Sequence, residues 1–434
     1  MIMPIGKLPP ELTTKIFELA IQSNVAEGPS SPHTSASTAG DLFRLLHLSH
    51  VCSLWRQTII TSPTLWALCP VDVQLDRRQK KYLDGLQMLL DCSAKLPISV
   101  SLATTGDTFT GPTGPLILPA IISTASRWRD LDVDTRSVLD LDHLRLPPGT
   151  FAALETLRIS YKNMIPQAPI TLFTLFPRLH CLRVTFSRNS DRDALLQMPW
   201  TQLSHVEITD PNPHTCLSAL LRCNNIVSAV LITRRYLATL EAAVVMLPCL
   251  ETLKIECRGA SGGIGTFFTQ LHLPVLKTLS LAFQDSVLWS ASTFAVFQSR
   301  APNIAELSLE GCVIPSHELV AVLQLAPVLK KFTLKYCPQC IDDFFLEAFA
   351  FGPDHTDRLV PQLEELDWQA VYHHFDLPIF EAAIRSRLSI SDMTSPAVPH
   401  LRSVRVVDSM WSQADALRVC LQDLCDQGLT LILS

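Results

Sequence analysis

Residues 302–309 read Pro302-Asn303-Ile304-Ala305-Glu306-Leu307-Ser308-Leu309. Leu307 and Leu309 are two apart, so in an extended chain both side chains leave the same face. Ile304 stands two residues after a proline, which ends a preceding helix before the chain turns into the strand. The same frame recurs on both sides. Towards the C-terminus it is Leu329/Phe332/Leu334, Leu363/Leu366/Trp368 and Leu401/Val404/Val406. Towards the N-terminus it is Leu276/Leu279/Leu281, Leu250/Leu253/Ile255, Val227/Val230/Ile232 and Leu203/Val206/Ile208. Beyond these stand Leu179/Leu182/Val184, Leu154/Leu157/Ile159 and Trp128/Leu131/Val133. Pro177, Pro248, Pro274, Pro327, Pro361 and Pro399 hold the place of Pro302 in their own units.

The first positions are 23 to 28 residues apart as far as Leu329, then 34 and 38 apart. Such a period marks a solenoid of leucine-rich-repeat type, an α/β fold in which short parallel strands alternate with helices. Each unit buries its apolar face by stacking on its neighbours. Thr293–Ser299 and Glu318–Gln324 carry helical spacing. The long gaps imply inserted loops at Gly352–Pro361 and Ser386–Pro399. Residues 79 to 102 read as an imperfect first unit, a helix to Cys92 and then Leu96–Leu102. The solenoid is expected over 71–434, in about eleven or twelve units. Residues beside the inward leucines face outward, and Asp132, Arg158, Arg183, Glu207, Lys254, Asp367 and Arg405 are the candidate partner face. Their mixed signs select no charge class of ligand.

Residues 1 to 70 follow another pattern. Pro9 and Pro10 suit a first helical turn, after which Leu12, Ile16, Leu19 and Ala20 share a face. Residues 25–40, rich in Ser, Pro, Ala, Thr and Gly, are expected to form a flexible insertion. A second helix is expected from an N-cap at Asp41, with Leu45, Leu48, Val51, Cys52 and Trp55 at helical spacing. Ser62-Pro63 breaks it, and Leu65-Trp66 follows as a short apolar hook. So small a unit leaves an apolar patch for a partner.

Leu8-Pro9-Pro10-Glu11-Leu12, Ile16-Phe17, Leu48-Ser49, Val51-Cys52-x-x-Trp55-Arg56 and Ser62-Pro63-x-Leu65-Trp66 resemble an F-box. The whole chain resembles the F-box/leucine-rich-repeat proteins, especially their fungal branch. The resemblance implies a three-helix F-box over 1–70. In that family it docks on the S-phase-kinase-associated adaptor of an SCF (cullin-RING) ubiquitin ligase, and the repeats hold a protein substrate. The resemblance puts Leu8, Pro9, Leu12, Ile16, Val51, Cys52, Trp55, Leu65 and Trp66 in or beneath the adaptor interface. Such a subunit performs no bond chemistry; it raises the effective concentration of substrate lysines near the conjugating enzyme. The alternative from another class is a repeat scaffold that acts without ubiquitination.

With 35 Lys+Arg against 41 Asp+Glu, the formal charge is −6, which argues against nucleic acid as the main partner. No apolar run is long enough for a membrane span, and residues 1–12 carry no signal-peptide pattern. The 13 cysteines, odd in number and scattered, read as free thiols in a reducing cytoplasm or nucleus. Gly259–Gly265 resembles the glycine-rich turn of short-chain dehydrogenases, so a nucleotide-binding oxidoreductase is a remote alternative. Against it, Pro274 cuts the following helix short and no Tyr-x-x-x-Lys pair exists. Gly259–Gly263 also fits G-x-S-x-G, with nothing to place a His and an acid beside Ser261. Cys337-x-x-Cys340 lacks the second pair of a zinc site and reads as buried thiols. No catalytic, cofactor or metal residue is expected.

Overall fold

The computed structural model describes residues 8–22, 38–74, 80–103, 114–135, 146–147, 149–161, 176–186, 198–211, 213–233, 245–258, 268, 270–288, 290–338, 340–351, 358–370, 375–388, 401–408 and 418–433. By contact density the chain divides into two compact units, Met1–Pro199 and Trp200–Ser434.

The first unit opens with four helices, α1 Pro10–Gln22, α2 Thr38–Ser49, α3 Ser53–Ile60 and α4 Pro63–Leu68. Three were expected, with Leu45 to Trp55 on one helix; that stretch instead breaks after Ser49, and Cys52 caps α3 by accepting from Trp55 N. The Leu65-Trp66 hook is itself a helix, because Pro63 fits its first turn, where no N–H is needed. Residues 38–40, assigned above to the flexible insertion, are the first turn of α2, so Asp41 lies inside that turn instead of capping it. The remainder of the 25–40 stretch lies outside the described residues. Phe17, Ile21, Leu45, Ile59, Leu65 and Trp66 are buried. Phe17 meets Trp55 edge-on, with ring centroids 4.9 Å apart, and Trp66 Nε1 donates to the Ile59 carbonyl at 2.8 Å.

The chain then alternates β1 Val71–Gln74, α5 Lys80–Cys92, β2 Ile98–Ala103, α6 Gly114–Ile122, β3 Trp128–Thr135, β4 Thr156–Tyr161 and β5 Cys181–Phe186. Each strand from β1 to β5 pairs in parallel with the next. Val100, Leu131, Leu157 and Leu182 fall in register, and so do Leu102, Val133, Ile159 and Val184. Burying each such side chain stabilises the stack by about 1.5–3 kcal/mol. Behind them the rings of Trp128, Phe151 and Phe176 follow one another with centroids 5.5 and 5.1 Å apart. Arg127 ties β3 to the end of α5 by donating to the Ala94 carbonyl and, at 2.5 Å, to Ser93 Oγ.

The second unit contains β6 His205–Thr209, α7 Pro213–Leu221, β7 Ser228–Thr233, β8 Val245–Met246, β9 Thr252–Cys257, β10 Leu271–His272 and β11 Thr278–Leu288. It continues with α8 Ala291–Arg300, β12 Glu306–Val313, α9 Ser316–Gln324, β13 Lys331–Lys335, α10 Asp343–Phe349 and β14 Glu365–Ala370. α11 Leu377–Leu388, β15 Ser403–Asp408, α12 Gln422–Asp426 and β16 Thr430–Leu433 complete it. The ladder β6-β7-β9-β11-β12-β13-β14-β15-β16 is parallel throughout, while β8 pairs with β10. This sequential parallel ladder is of leucine-rich-repeat type.

One device recurs where strands begin. The carbonyl just before one strand accepts two successive N–H groups of the next unit. Glu251 O takes Lys277 and Thr278, Lys277 O takes Ala305 and Glu306, and Lys330 O takes Glu364 and Glu365. Pro302 and Pro327 do follow helices, α8 and α9, as expected, but two of the prolines do not. Pro248 and Pro274 follow the short strands β8 and β10, and in each case a turn closes across the proline, Leu250 N to Leu247 O and Leu276 N to Leu273 O. Proline's fixed φ suits the second position of such a turn.

Two further expectations need correction. In β7 the residues aligned with Leu253 and Ile255 are Ala229 and Leu231. The inward frame is therefore Ile226/Ala229/Leu231, all buried, and Val230 points outward. A one-residue slip exchanges the two faces of a strand, and the run of apolar residues in Ile226–Ile232 hides the slip. The second insertion also starts later than expected, because α11 runs through Ser386 to Leu388. Residues 352–357 and 389–400 lie outside the described residues.

Candidate functional site

Two kinds of surface stand out, the second of them present in each unit. The first is the outer side of the four N-terminal helices. α1 carries two apolar stripes. Phe17 and Ile21 face the core, while Leu12, Ile16 and Leu19, spaced for one helical face, are 53%, 47% and 57% exposed. Val51, at 61% exposed, and Leu54, at 45%, add to the exposed apolar set at the start of α3. Of the nine residues set in or beneath an interface, Pro9, Leu12, Ile16, Val51 and Cys52 are exposed and Leu8 is half-buried. Trp55 is half-buried against Phe17. Leu65 and Trp66 are core residues. Phe43, 60% exposed on α2, is an apolar side chain that the motif did not single out.

The second surface is the outward face of the strands, where every candidate partner-face residue takes the position between two inward side chains. In the first unit Ser101, Asp132, Arg158 and Arg183 are register neighbours across β2 to β5. Burial pushes the Asp132 carboxyl up, Arg158 and Arg183 oppose that, and Asp134 and Asp72 add to it. Burial also acts on Asp130, but hydrogen bonds from Ser99, Arg129 and Thr156 outweigh it and hold its carboxyl below the usual range. Acidic side chains thus crowd β3, and exposed arginines follow on β4 and β5.

In the second unit the equivalent row is Glu207, Val230, Lys254, Ser280, Ser308, Thr333, Asp367 and Arg405. The structure brings Asp367 and Arg405 together at 4.0 Å. It sets Glu207 and Lys254 apart, with Val230 between them. Lys331 and Glu365 pair at 2.8 Å on the adjacent row, and that hydrogen bond raises the Lys331 pKa. The small side chains of Ser280 and Ser308 separate the two charged groups, a feature visible in the sequence once the frame is right.

Gly259–Gly265 lies outside the described residues, following β9. Among the described residues no group of His, Cys, Asp or Glu could hold a metal ion, and no helix is long and apolar enough to cross a membrane. Cys337 and Cys340 are buried, and the Cys340 thiol donates to the Cys337 carbonyl at 3.1 Å.

No protein-family description matches the chain, and no curated protein does. Among solved structures, a chain of the Toll–Spatzle complex from Drosophila is 14% identical, covers 81% of this chain and 44% of its own length, and superposes with a TM-score of 0.38. An internalin from Listeria monocytogenes is 11% identical over 76% of this chain and 71% of that one, with a TM-score of 0.31. A chain of the TLR13–ssRNA13 complex is 11% identical over 71% and 52%, with a TM-score of 0.27. This chain spans less than half the length of the Toll-complex chain it matches. The ladder geometry described above defines the leucine-rich-repeat class of the fold.

Proposed function

We propose that the chain is the substrate-recognition subunit of an SCF (cullin-RING) ubiquitin ligase in the cytoplasm or nucleus. The N-terminal helices dock on the S-phase-kinase-associated adaptor, and the outward strand face holds a protein substrate. The observation that carries this reading is the second apolar stripe of α1, Leu12, Ile16 and Leu19, which is exposed, as is Val51, on a helical unit with its own buried core. Large aliphatic groups left in water on a packed unit are what the buried centre of an interface uses. Chemistry in this reading belongs to the ligase partners, and the chain contributes position.

The test is a pull-down of the full chain against a Leu12→Asp/Ile16→Asp/Val51→Asp variant, probed for adaptor and cullin. Retention of both by the wild type, and loss of both by a variant that keeps its circular dichroism, supports the receptor reading. Adaptor without cullin supports the scaffold that acts without ubiquitination. Binding of neither rejects the F-box resemblance as a guide to function.

A further inference from the structure

Two thiols occupy equivalent places in consecutive repeats of the second unit. Cys312 lies three residues beyond Leu309, and Cys337 three beyond Leu334, and these leucines are register partners across β12 and β13. Each cysteine follows a residue in the left-handed region, Gly311 at φ +69° and Tyr336 at φ +52°. Each thiol donates to the carbonyl two residues before it, Cys312 to Glu310 O at 3.9 Å and Cys337 to Lys335 O at 3.4 Å. The same turn, used twice, sets the two cysteines at equivalent places in neighbouring repeats. The Cys337 thiol also reaches Leu309 O on the neighbouring strand at 3.6 Å, and the two thiols lie close enough to bias each other's ionisation. The β12/β13 register runs to Glu310 and Lys335, two residues before the pair; neighbouring strands run about 4.8 Å apart, and a disulfide spans a Cα separation of about 4.4–6.8 Å.

The surroundings separate these thiols from the other buried ones. Burial pushes Cys69 and Cys223 up to about 12, where a thiol is inert. At Cys337 the neighbouring Cys312 thiol, with backbone groups of Cys312, Lys335 and Gly311, outweighs burial and favours the thiolate. The same contact, together with burial, keeps Cys312 protonated. Cys337 is also the less buried of the two, so it is the sulfur placed to attack and Cys312 the one placed to resolve. Cys337 is itself buried, but it sits in a turn between the exposed residues Tyr336 and Pro338.

We propose that Cys312 and Cys337 form an oxidative modification site, at which a hydroperoxide converts the thiol pair into a disulfide joining two consecutive repeats. The Cys337 sulfur attacks a peroxide oxygen, the O–O bond breaks, and the departing hydroxide takes the thiol proton to become water. This leaves a sulfenic acid on Cys337. The Cys312 sulfur then attacks the sulfenic sulfur, the S–O bond breaks, and the hydroxide leaves as a second water with the Cys312 proton. Two thiols and one hydrogen peroxide give one disulfide and two waters. Cys340 stays protonated, raised by burial and held to the Cys337 carbonyl.

The experiment uses the reduced full chain treated with graded hydrogen peroxide, alkylated, digested and read by mass spectrometry. The expected product is a peptide pair linked through Cys312 and Cys337, lighter than the two thiol peptides by two hydrogens. Cys312→Ser should lose the link and leave a sulfenic acid on Cys337 that dimedone traps. Cys337→Ser should lose the link without dimedone labelling at Cys312. Exposed Cys249 serves as the internal reference. A free Cys337 at the dose that oxidises Cys249 overturns the proposal, and so does a Cys337 linked to Cys340. The wild-type digest decides the matter even if a serine variant folds poorly. Its outcome is independent of adaptor binding.

Discussion

The guanidinium carbon of Arg387 lies 3.5 Å from the centroid of the Phe349 ring, and its Nε donates to the Phe349 carbonyl at 2.9 Å. Phe349 ends α10, so the cation meets both a ring face and the carbonyl end of a helix dipole. The same side chain reaches the carbonyls of Leu359 at 2.6 Å and Val360 at 3.3 Å, the latter on a residue held at φ +41°. It is 3% exposed. Arg387→Ala strands three buried carbonyls and should cost about 3 kcal/mol or more. Arg387→Lys should recover only part of that, because an ammonium has no planar fork to span the set and stack on a ring. Urea unfolding of the three proteins checks the order.

The N-terminal helices separate packing from interface. Trp66→Ala removes a buried ring and its hydrogen bond to Ile59 and should destabilise the protein by about 3–5 kcal/mol. Leu12→Ala, at an exposed position, should stay within about 0.5 kcal/mol. Thermal melts of both variants test this, and equal losses would mean that Leu12 is packed.

Glycine positions give opposite signs. A Cβ on Gly311 would stand 2.0 Å from the Phe283 carbonyl oxygen, on a backbone at φ +69°, so Gly311→Ala should lose at least about 2 kcal/mol. Gly85 lies inside α5 with nothing within 4 Å of an added Cβ, so Gly85→Ala should gain about 0.5–1 kcal/mol. Denaturation midpoints decide both.

The frame of β7 is testable by a pair of neighbours. Leu231→Asp buries a carboxylate in the core and should unfold the repeat, with a loss above about 3 kcal/mol. Val230→Asp turns the charge outward and should cost less than about 1 kcal/mol. The reverse order would restore the Val230/Ile232 frame.

Asp132 provides a pH test. Its carboxyl is raised in the folded state by burial, so folding favours the protonated form. Stability from this group is greatest at acid pH and falls as pH rises through the window between the unfolded value and the raised folded one. Asp132→Asn should therefore stabilise the protein at neutral pH, by about 0.5 kcal/mol. The gain should vanish below the ordinary aspartate range. A gain that persists in acid would show that ionisation is not its source.

Sequence spacing alone determined the strand ladder. Each inward pair two residues apart can bury itself only by stacking on a like pair, so a period of leucines dictates parallel neighbours in chain order. It failed in Ile226–Ile232, where consecutive apolar residues satisfy two frames equally and only the pairing of β7 with β9 selects one. It also passed over β1 and β16: Leu68/Val71/Val73 fits the frame but no proline stands two residues before it and Leu68 ends the helix of the Leu65-Trp66 hook, while Leu431/Leu433 has Gly428 where the lead apolar residue would stand. Composition marked Leu65 and Trp66 as apolar but could not say whether they meet a partner or their own core. Burial depends on what the chain brings alongside, and α3 brings Ile59 over Trp66. The outward row was legible as positions, because alternation fixes it. Which charges meet was decided by register, which sets Asp367 beside Arg405 on neighbouring strands and puts Val230 of β7 between Glu207 and Lys254.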